Sequence, residues 1–202
     1  MDSEPGSYLY CGLSRDASKE EILERINNNT ITDILNKIEV KAGDVVMVKA
    51  GTIHAIGAGV FICEIQQNSN CTYRMYDYDR RDKFGNPREL HVKKALDVVD
   101  NHKYIKDNKT EVVIARNEHF TEERLVQCKY FEVYKYDVND EAKITVDEAS
   151  FVSVLFINGS GTIETDDYEK TMEFKAGDSF FVSAGLRSII VKGRATMVVT
   201  RV

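Results

Sequence analysis

His54 stands inside a stretch that the chain contains twice. Residues 40–56 read VKAGDVVMVKAGTIHAI, and residues 174–190 read FKAGDSFFVSAGLRSII. Both copies share Lys-Ala-Gly-Asp and a later Ala-Gly, but the first has His54 where the second has Ser188. A neutral imidazole nitrogen is a common ligand for a divalent metal such as zinc. The repeat predicts two related units with metal chemistry only in the first, although a histidine beside isoleucines is also typical of a satisfied core residue.

Polar residues are expected to lie beside His54 on a β-hairpin. Residues 57–59, Gly-Ala-Gly, are a turn signal between two apolar strand segments. A symmetric turn pairs residue 54 with residue 62, and strand alternation then places His54, Ile62, Glu64 and Gln66 on one face. We interpret Glu64 and Gln66 as interior polar groups, which serve either substrate contact or structural hydrogen bonding.

A helical insert is expected near the start of the chain. The pattern at 6–13 predicts a short strand. Ser18 followed three residues later by Glu21 forms a capping-box signal, with isoleucine and leucine at helical spacing behind it. Three asparagines then end this helix, and Thr30 can cap a second short one. The predicted insert covers residues 15–38.

The remaining pattern is mostly that of strands. Residues 45–48 are apolar and β-branched, and residues 89–99 predict a short helix. Alternating segments dominate afterwards, with a predicted hairpin turn at residues 158–161, Asn-Gly-Ser-Gly. Short strands at this spacing indicate an all-β sandwich or barrel.

The repeat also divides the chain. We expect a first β unit at 1–100, a linker at 101–110 and a second, metal-free β unit at 111–202. Each unit holds one copy of the Lys-Ala-Gly-Asp stretch.

Composition excludes several classes of protein. The formal net charge of −6 argues against a nucleic-acid or acidic-membrane surface. No apolar run approaches the roughly 18 residues of a membrane span, and the first ten residues lack the blocks of a secretory signal. The four scattered cysteines favour reduced, buried thiols over a disulfide or zinc cluster. We therefore expect a cytoplasmic protein.

Two motifs resemble known families. Gly43, five residues, Lys49-Ala50-Gly51, two residues and His54 resemble the second half-motif of the cupin superfamily, with lysine in place of its usual proline. The longer stretches KAGTIHAIGAGVFICEIQQNSNCTYRMYDYDR and GNPRELHVKKALDVVD resemble the type I mannose-6-phosphate isomerases. The resemblance implies a cupin-like jelly roll with an incomplete first unit, and an aldose–ketose isomerase that acts on mannose 6-phosphate and fructose 6-phosphate through a cis-enediol with bound zinc.

The resemblance also implies roles for individual residues. His54 matches the family's last metal ligand, and Arg74 matches its catalytic arginine. The alternative for Arg74 is an ion pair with Asp77 or Asp79. Arg80 is either a salt-bridged turn residue or a contact to the sugar phosphate.

Three further metal ligands of the family, a Gln-x-His pair and a glutamate, lie upstream of the segment where this sequence begins, and no histidine precedes His54. We therefore expect an N-terminally truncated chain that alone binds zinc weakly and has little isomerase activity. Open sheet edges would then favour a homodimer. A noncatalytic sugar-phosphate-binding or structural cupin is the alternative function.

Overall fold

The computed structural model describes residues 2–69, 71–106, 112–165 and 168–202. The chain forms two compact units, Met1–Lys106 and Asp107–Val202. The linker predicted at 101–110 spans this division, and its residues 107–110 lie outside the described part.

The first unit combines short strands with two helices. Its elements are β1 (Asp2–Ser3), β2 (Tyr8–Leu13), α1 (Lys19–Asn27), a 3₁₀ turn (Ile31–Asp33), β3 (Leu35–Glu39), β4 (His54–Ile56), β5 (Val60–Phe61) and α2 (Val92–Val98). The strands form an antiparallel sheet with the order β3-β2-β4 and a small pair β1-β5. Glu64, Gln66, Arg74 and Arg80 lie in the segment between β5 and α2.

Local capping fixes the start of α1. The Ser18 hydroxyl accepts a hydrogen bond from the backbone N–H of Glu21 over 3.1 Å, which satisfies one of the free amides at the helix start. The expected break is also present, because Asn28 caps the C-terminus and Asn29 has a φ of 57°. The capping signal thus predicted this helix correctly.

The end of the predicted insert was wrong. Instead of a second short helix after Thr30 within an insert that ends at residue 38, the chain makes only the 3₁₀ turn and then enters β3 at Leu35. Pairing with β2 explains this difference, since Leu13 lies opposite Leu35 and Leu9 opposite Ile38. A strand partner outweighs the weak local helix preference of this segment.

One apolar cluster lies inside the first unit. Its buried members come from β2, β3, both helices, the 3₁₀ turn and irregular segments, and they are Leu13, Ala17, Ile22, Ile26, Ile31, Ile34, Leu35, Met75, Ala95 and Val99. The cluster packs α1 and α2 against one end of the sheet.

The second unit is almost entirely β. Its strands are β6 (Val112–Arg116), β7 (Phe120–Gln127), β8 (Glu132–Val138), β9 (Glu141–Val146), β10 (Val152–Thr165), β11 (Tyr168–Lys175), β12 (Ser179–Val182) and β13 (Arg187–Arg201). They pair in the order β11-β10-β13-β8-β7-β6, while β12 also pairs with β10 and β9 with β13. A continuous apolar core fills this unit, with Tyr136, Phe156, Ile144 and Met197 among its fully buried side chains.

The hairpin predicted at residues 158–161 is absent. β10 runs straight through this segment and pairs with β13 along its length, apart from one irregularity between Phe156 and Asn158. The glycines serve close approach instead, because a Cβ at Gly159 or Gly161 would collide with a carbonyl oxygen of β13. Gly159 and Gly161 therefore allow the backbones of β10 and β13 to approach each other closely, and they do not form a turn.

The repeated sequence forms the same turn in both units. The backbone N–H of Lys41 donates to Asp44 Oδ2 over 3.0 Å, and that of Lys175 donates to Asp178 Oδ2 over 2.9 Å. Both turns use a glycine with positive φ, 91° at residue 43 and 92° at residue 177. The shared spacing thus encodes a shared local geometry.

The strand predicted at residues 45–48 is not formed, although its counterpart in the repeat is β12. β12 pairs with the first half of β10. Within the described residues, the segment 45–48 has no comparable neighbour, so its backbone stays outside the sheets.

Candidate functional site

His54 begins β4, directly after the Lys49-Ala50-Gly51 turn. Its Cα lies opposite that of Cys11 in β2, and its side chain is exposed. The ring atom Nδ1 lies 3.0 Å from the carbonyl oxygen of Thr52. A carbonyl oxygen only accepts hydrogen bonds, so Nδ1 carries the proton and the neutral ring presents a free lone pair at Nε2. This is the arrangement that protein structures use to orient a metal-binding histidine.

The predicted hairpin around residues 57–59 was wrong. β4 pairs with β2, whereas β5 pairs with β1, so residues 54 and 62 are not strand partners. Glu64 and Gln66 follow β5 in a segment without regular structure, and both are exposed. The prediction failed because β2 and β1 offer pairing partners that the turn signal does not reveal. His54, Glu64 and Gln66 share exposure but no hydrogen bond within the described residues.

Arg74 is held by the segment that leads into α2. Its backbone N–H donates to His91 Nδ1 over 3.2 Å, and its carbonyl accepts from the His91 N–H over 2.6 Å. Its guanidinium makes a long hydrogen bond of 3.4 Å to the carbonyl oxygen of Glu89. The alternative of an ion pair with an aspartate is not realised, because Asp77 pairs with another arginine and so does the aspartate at 79.

Those two ion pairs lie in the segment that follows Arg74. Arg88 Nη1 is 3.5 Å from Asp77 Oδ1, and Arg81 Nη2 is 3.0 Å from Asp79 Oδ1. Arg80 lies between them with its guanidinium carbon 5.4 Å from the centre of the Tyr78 ring. The structure thus places Arg80 near the aspartates without a salt bridge of its own in the described part of the chain.

The described residues do not form a metal centre on their own. They contain no cluster of three or more histidine, cysteine, aspartate or glutamate side chains suited to hold an ion. A catalytic zinc usually takes three protein ligands and keeps one open position. His54 fits as one ligand by its tautomer, but the set around it does not complete a site. The cysteines do not change this conclusion, since all four are free and only Cys11 is buried.

Ser188, at the position that matches His54 in the repeat, has a different environment. It lies in β13 opposite Thr145 and is only 2% exposed. The second copy of the stretch therefore has a buried hydroxyl group at this position. The first presents an imidazole on an open surface.

Comparison with known proteins shows what this chain resembles. Residues 121–202 match the family model described as the cupin domain of mannose-6-phosphate isomerase. The crystal structure of the mannose 6-phosphate isomerase from Bacillus subtilis matches 100% of this chain and 62% of its own, with 35% identity and a TM-score of 0.88. Over its whole length this chain is similar to that isomerase, and residues 121–202 are similar to the cupin domain of the mannose-6-phosphate isomerases.

Two curated relatives from Bacillus subtilis strain 168 are similar to most of this chain. YvyI is 40% identical over 190 residues and mannose-6-phosphate isomerase ManA is 33% identical over 193 residues. These alignments include 92% and 91% of this chain but only 57% and 56% of the relatives. The cupin-like, mostly β fold expected from the sequence is thereby confirmed. Among the described helices, none has the length and apolar character needed to cross a bilayer.

Sequence reasoning missed the contribution of two residues to the candidate site. His91 lies beside basic residues in the helix predicted at residues 89–99, which favours a surface or packing role, yet its ring and backbone hydrogen-bond to the backbone of Arg74. Arg88 was not singled out, yet it pairs with Asp77. A histidine directly before a helix start is a weak signal that its ring can accept a hydrogen bond from a nearby backbone amide. Nothing in the sequence indicated that Arg88 pairs with Asp77.

Proposed function

We propose that this protein interconverts mannose 6-phosphate and fructose 6-phosphate as an aldose–ketose isomerase. The observation that carries the proposal is the match of the whole chain to the Bacillus subtilis isomerase at a TM-score of 0.88. The noncatalytic alternative is not favoured, because relatives at 33% and 38% identity are named as mannose-6-phosphate isomerases.

The reaction moves a proton between C1 and C2 of the sugar. A proton leaves C2 of the aldose and is returned to C1, while the hydroxyl proton shifts from O2 to O1 through a cis-enediol. Negative charge develops on these oxygens in the transition state, so a preorganised cation lowers the barrier. Arg74 suits this role, because its guanidinium stays protonated and its backbone is fixed by His91.

Zinc is the cofactor of the proposal. A bound zinc ion polarises the sugar oxygens as a Lewis acid. His54 Nε2 is the ligand that this chain offers, and further ligands would have to come from groups that the structure does not describe. We therefore expect zinc to be substoichiometric when the chain is purified alone. One zinc per chain, lost in His54→Ala, would contradict this expectation.

The substrate contacts and location are part of the same proposal. The exposed side chains of Glu64 and Gln66 are available to hydroxyl groups, and Arg80 is available to an anionic group. A sugar-phosphate isomerase works where its substrates are formed, so we place the protein in the cytoplasm.

A chimera tests the isomerase activity. The part of ManA that this chain does not match is joined to this chain, and conversion of mannose 6-phosphate is followed by phosphorus NMR. We expect isomerisation that His54→Ala abolishes and that Arg74→Lys slows by about a hundredfold, since lysine loses the planar fork of donors. Arg116→Lys, an exposed arginine in β6, serves as the control. A folded, zinc-loaded chimera without turnover would overturn the proposal.

We also propose that two chains pair through open sheet edges. Within the described residues, β4 has a strand partner on one side only, and Ile56 and Phe61 nearby are 49% and 64% exposed. Exposed edges and apolar side chains favour such pairing. Light scattering at micromolar concentration should show a dimer, and a monodisperse monomer would refute the pairing.

A further inference from the structure

Asn158 and Gly159 form an asparagine–glycine pair inside β10, and the sequence contains this pair at no other position. Glycine leaves the backbone nitrogen after an asparagine less hindered than any other residue does, because it has no Cβ. Asn158 is also exposed to solvent. The pair therefore combines an accessible side-chain amide with an accessible backbone nitrogen directly after it.

The pair lies where β10 changes its neighbour on one side. There β12 pairs with β10 only as far as Leu155, and β11 pairs with it only from Ser160 onward. Within the described residues, no strand pairs with Asn158 and Gly159 on that side. On the other side, the pairing with β13 is irregular between Phe156 and Asn158. One irregular neighbour holds this part of the backbone, so local opening costs less here than in the middle of a regular sheet.

The two groups that could react with each other are already in contact. The backbone N–H of Gly159 donates a hydrogen bond to Asn158 Oδ1 over 2.8 Å. Because Oδ1 is bonded to Cγ, this contact also brings the Gly159 nitrogen close to the side-chain carbonyl carbon. A rotation about the Cβ–Cγ bond of Asn158 turns the face of that carbonyl group toward the nitrogen. Such proximity accelerates a reaction between two groups of the same chain.

We propose that Asn158 is a site of spontaneous deamidation through a cyclic succinimide. Hydroxide removes the proton of the Gly159 amide, and the nitrogen attacks Asn158 Cγ. A new bond forms between these two atoms, and the side-chain nitrogen leaves as ammonia with a proton taken from water. The backbone nitrogen of Gly159 thus acts as the nucleophile, and no enzyme or metal is needed.

Water then opens the ring in one of two ways. Attack at the side-chain carbonyl breaks the new bond and gives aspartate at position 158. Attack at the main-chain carbonyl breaks the original peptide bond and gives isoaspartate, whose backbone runs through the former side chain. In both cases the net change is the uptake of one water molecule and the release of one ammonia molecule.

The products should weaken the second unit. Asn158 lies opposite Thr196, whose hydroxyl donates to Asp137 Oδ1 over 2.8 Å. Deamidation therefore adds a negative charge to a row of side chains that already contains a carboxylate, and like charges on one face of a sheet are unfavourable. Isoaspartate also inserts one methylene group into the main chain of β10. The inference goes beyond the isomerase reaction, because it concerns a covalent change in the second unit.

The test is incubation of the purified chain at pH 7 and at pH 9, followed by peptide mapping with mass spectrometry. The peptide that contains residue 158 should gain one mass unit, and it should do so faster at pH 9 because the attack needs a deprotonated nitrogen. Fragmentation that distinguishes aspartate from isoaspartate should find both. Ion-exchange chromatography should show acidic species that Asn158→Ser does not form.

Asn139 provides a matched control in the same unit. It is also exposed, but Asp140 follows it and its side-chain amide donates to the carbonyl oxygen of Glu118 over 2.9 Å. Asn139 should therefore convert at least about tenfold more slowly than Asn158. Equal rates at the two positions would overturn the inference.

A second comparison uses the chain unfolded in urea. Conversion of residue 158 in the unfolded chain, together with an intact Asn158 in the native chain, would show that the sheet protects this pair and would contradict the proposal. An Asn158 that stays intact in both states would contradict it as well. Neither result would affect the isomerase proposal, which is tested by turnover.

Discussion

Arg74 and His91 hold each other through two hydrogen bonds, one from the Arg74 amide to His91 Nδ1 over 3.2 Å and one from the His91 amide to the Arg74 carbonyl over 2.6 Å. The first bond requires an acceptor at Nδ1, so the neutral ring must carry its proton at Nε2. The second bond lies directly before α2. The position of the proposed catalytic arginine therefore depends on a histidine that contacts its backbone rather than its side chain.

His91→Ala should lower the free energy of unfolding by about 1–2 kcal/mol, since it leaves the Arg74 amide without its acceptor. Urea unfolding measures this loss, and hydrogen exchange should show reduced protection of the Arg74 amide. His91→Asn should recover part of the loss, because its side-chain oxygen can accept from the same amide. His102→Ala removes a ring that is 77% exposed and should change neither quantity. Equal effects of the alanine substitutions at positions 91 and 102 would refute the role of His91 in holding the backbone of Arg74.

Buried tyrosines should make the protein sensitive to alkaline pH. Burial, and then a hydrogen bond of 2.5 Å to Glu122, raise the pKa of Tyr136, and burial followed by a 2.6 Å bond to Glu132 raises the pKa of Tyr134. Above about pH 10 the unfolded chain loses these protons while the folded chain keeps them, so stability falls as pH rises. The stabilising effect is fully present below pH 10.

Urea unfolding at pH 8, 10 and 11 measures that fall. Each tyrosine that ionises only in the unfolded chain should contribute about 1.4 kcal/mol per pH unit. Tyr136→Phe should flatten the slope above pH 10, whereas Tyr130→Phe, at a position that is 51% exposed, should not. An identical slope in Tyr136→Phe and the wild type would contradict the assignment.

Alanine substitutions at Gly161 and Gly177 test two different causes of destabilisation, steric collision and backbone strain. Gly161→Ala should destabilise the fold by about 3 kcal/mol, because its Cβ would meet the carbonyl oxygen of Lys192 in the neighbouring strand. Gly177→Ala has open space around it but a φ of 92°, so only strain applies and about 1–2 kcal/mol is expected. Thermal and urea unfolding of both variants check the order, and a Gly177→Ala loss equal to or above that of Gly161→Ala would be inconsistent with it.

Ser188→His should not create a second metal site. Residue 188 is 2% exposed and lies opposite Thr145 in the β9–β13 pair, so the larger imidazole should not fit this closed position without a cost of about 1–3 kcal/mol. Zinc titration followed by calorimetry should give the same stoichiometry as the wild type. Extra zinc bound by a stable Ser188→His variant would show that the second unit retains a usable cavity.

Local signals in the sequence predicted local structure well. The Ser18–Glu21 pattern predicts the start of α1, and the strand predicted at residues 6–13 is observed as β2. Both depend on neighbours within a few residues. The sequence predicted the fold class for the same reason, because turn spacing and alternation are repeated along the whole chain.

Strand pairing was the part that local reasoning could not supply. The turn signal at residues 57–59 favoured a hairpin, but β2 is the partner of His54 and lies about forty residues earlier. Likewise, residues 35–39 formed a strand because β2 was available on its other edge. The same limit applies to the candidate site. The sequence identified His54 and Arg74 as candidates, but the residues that lie next to them in space come from distant segments and could not be predicted.

The Lys-Ala-Gly-Asp turn has the same hydrogen bond and the same glycine conformation ahead of an unpaired segment in one unit and ahead of a sheet strand in the other. The conformation of this turn is therefore determined by its four residues and does not depend on the segment that follows them. Grafted into an unrelated scaffold, these four residues should therefore form the same turn. The residue at the position of His54 could be exchanged without altering that turn.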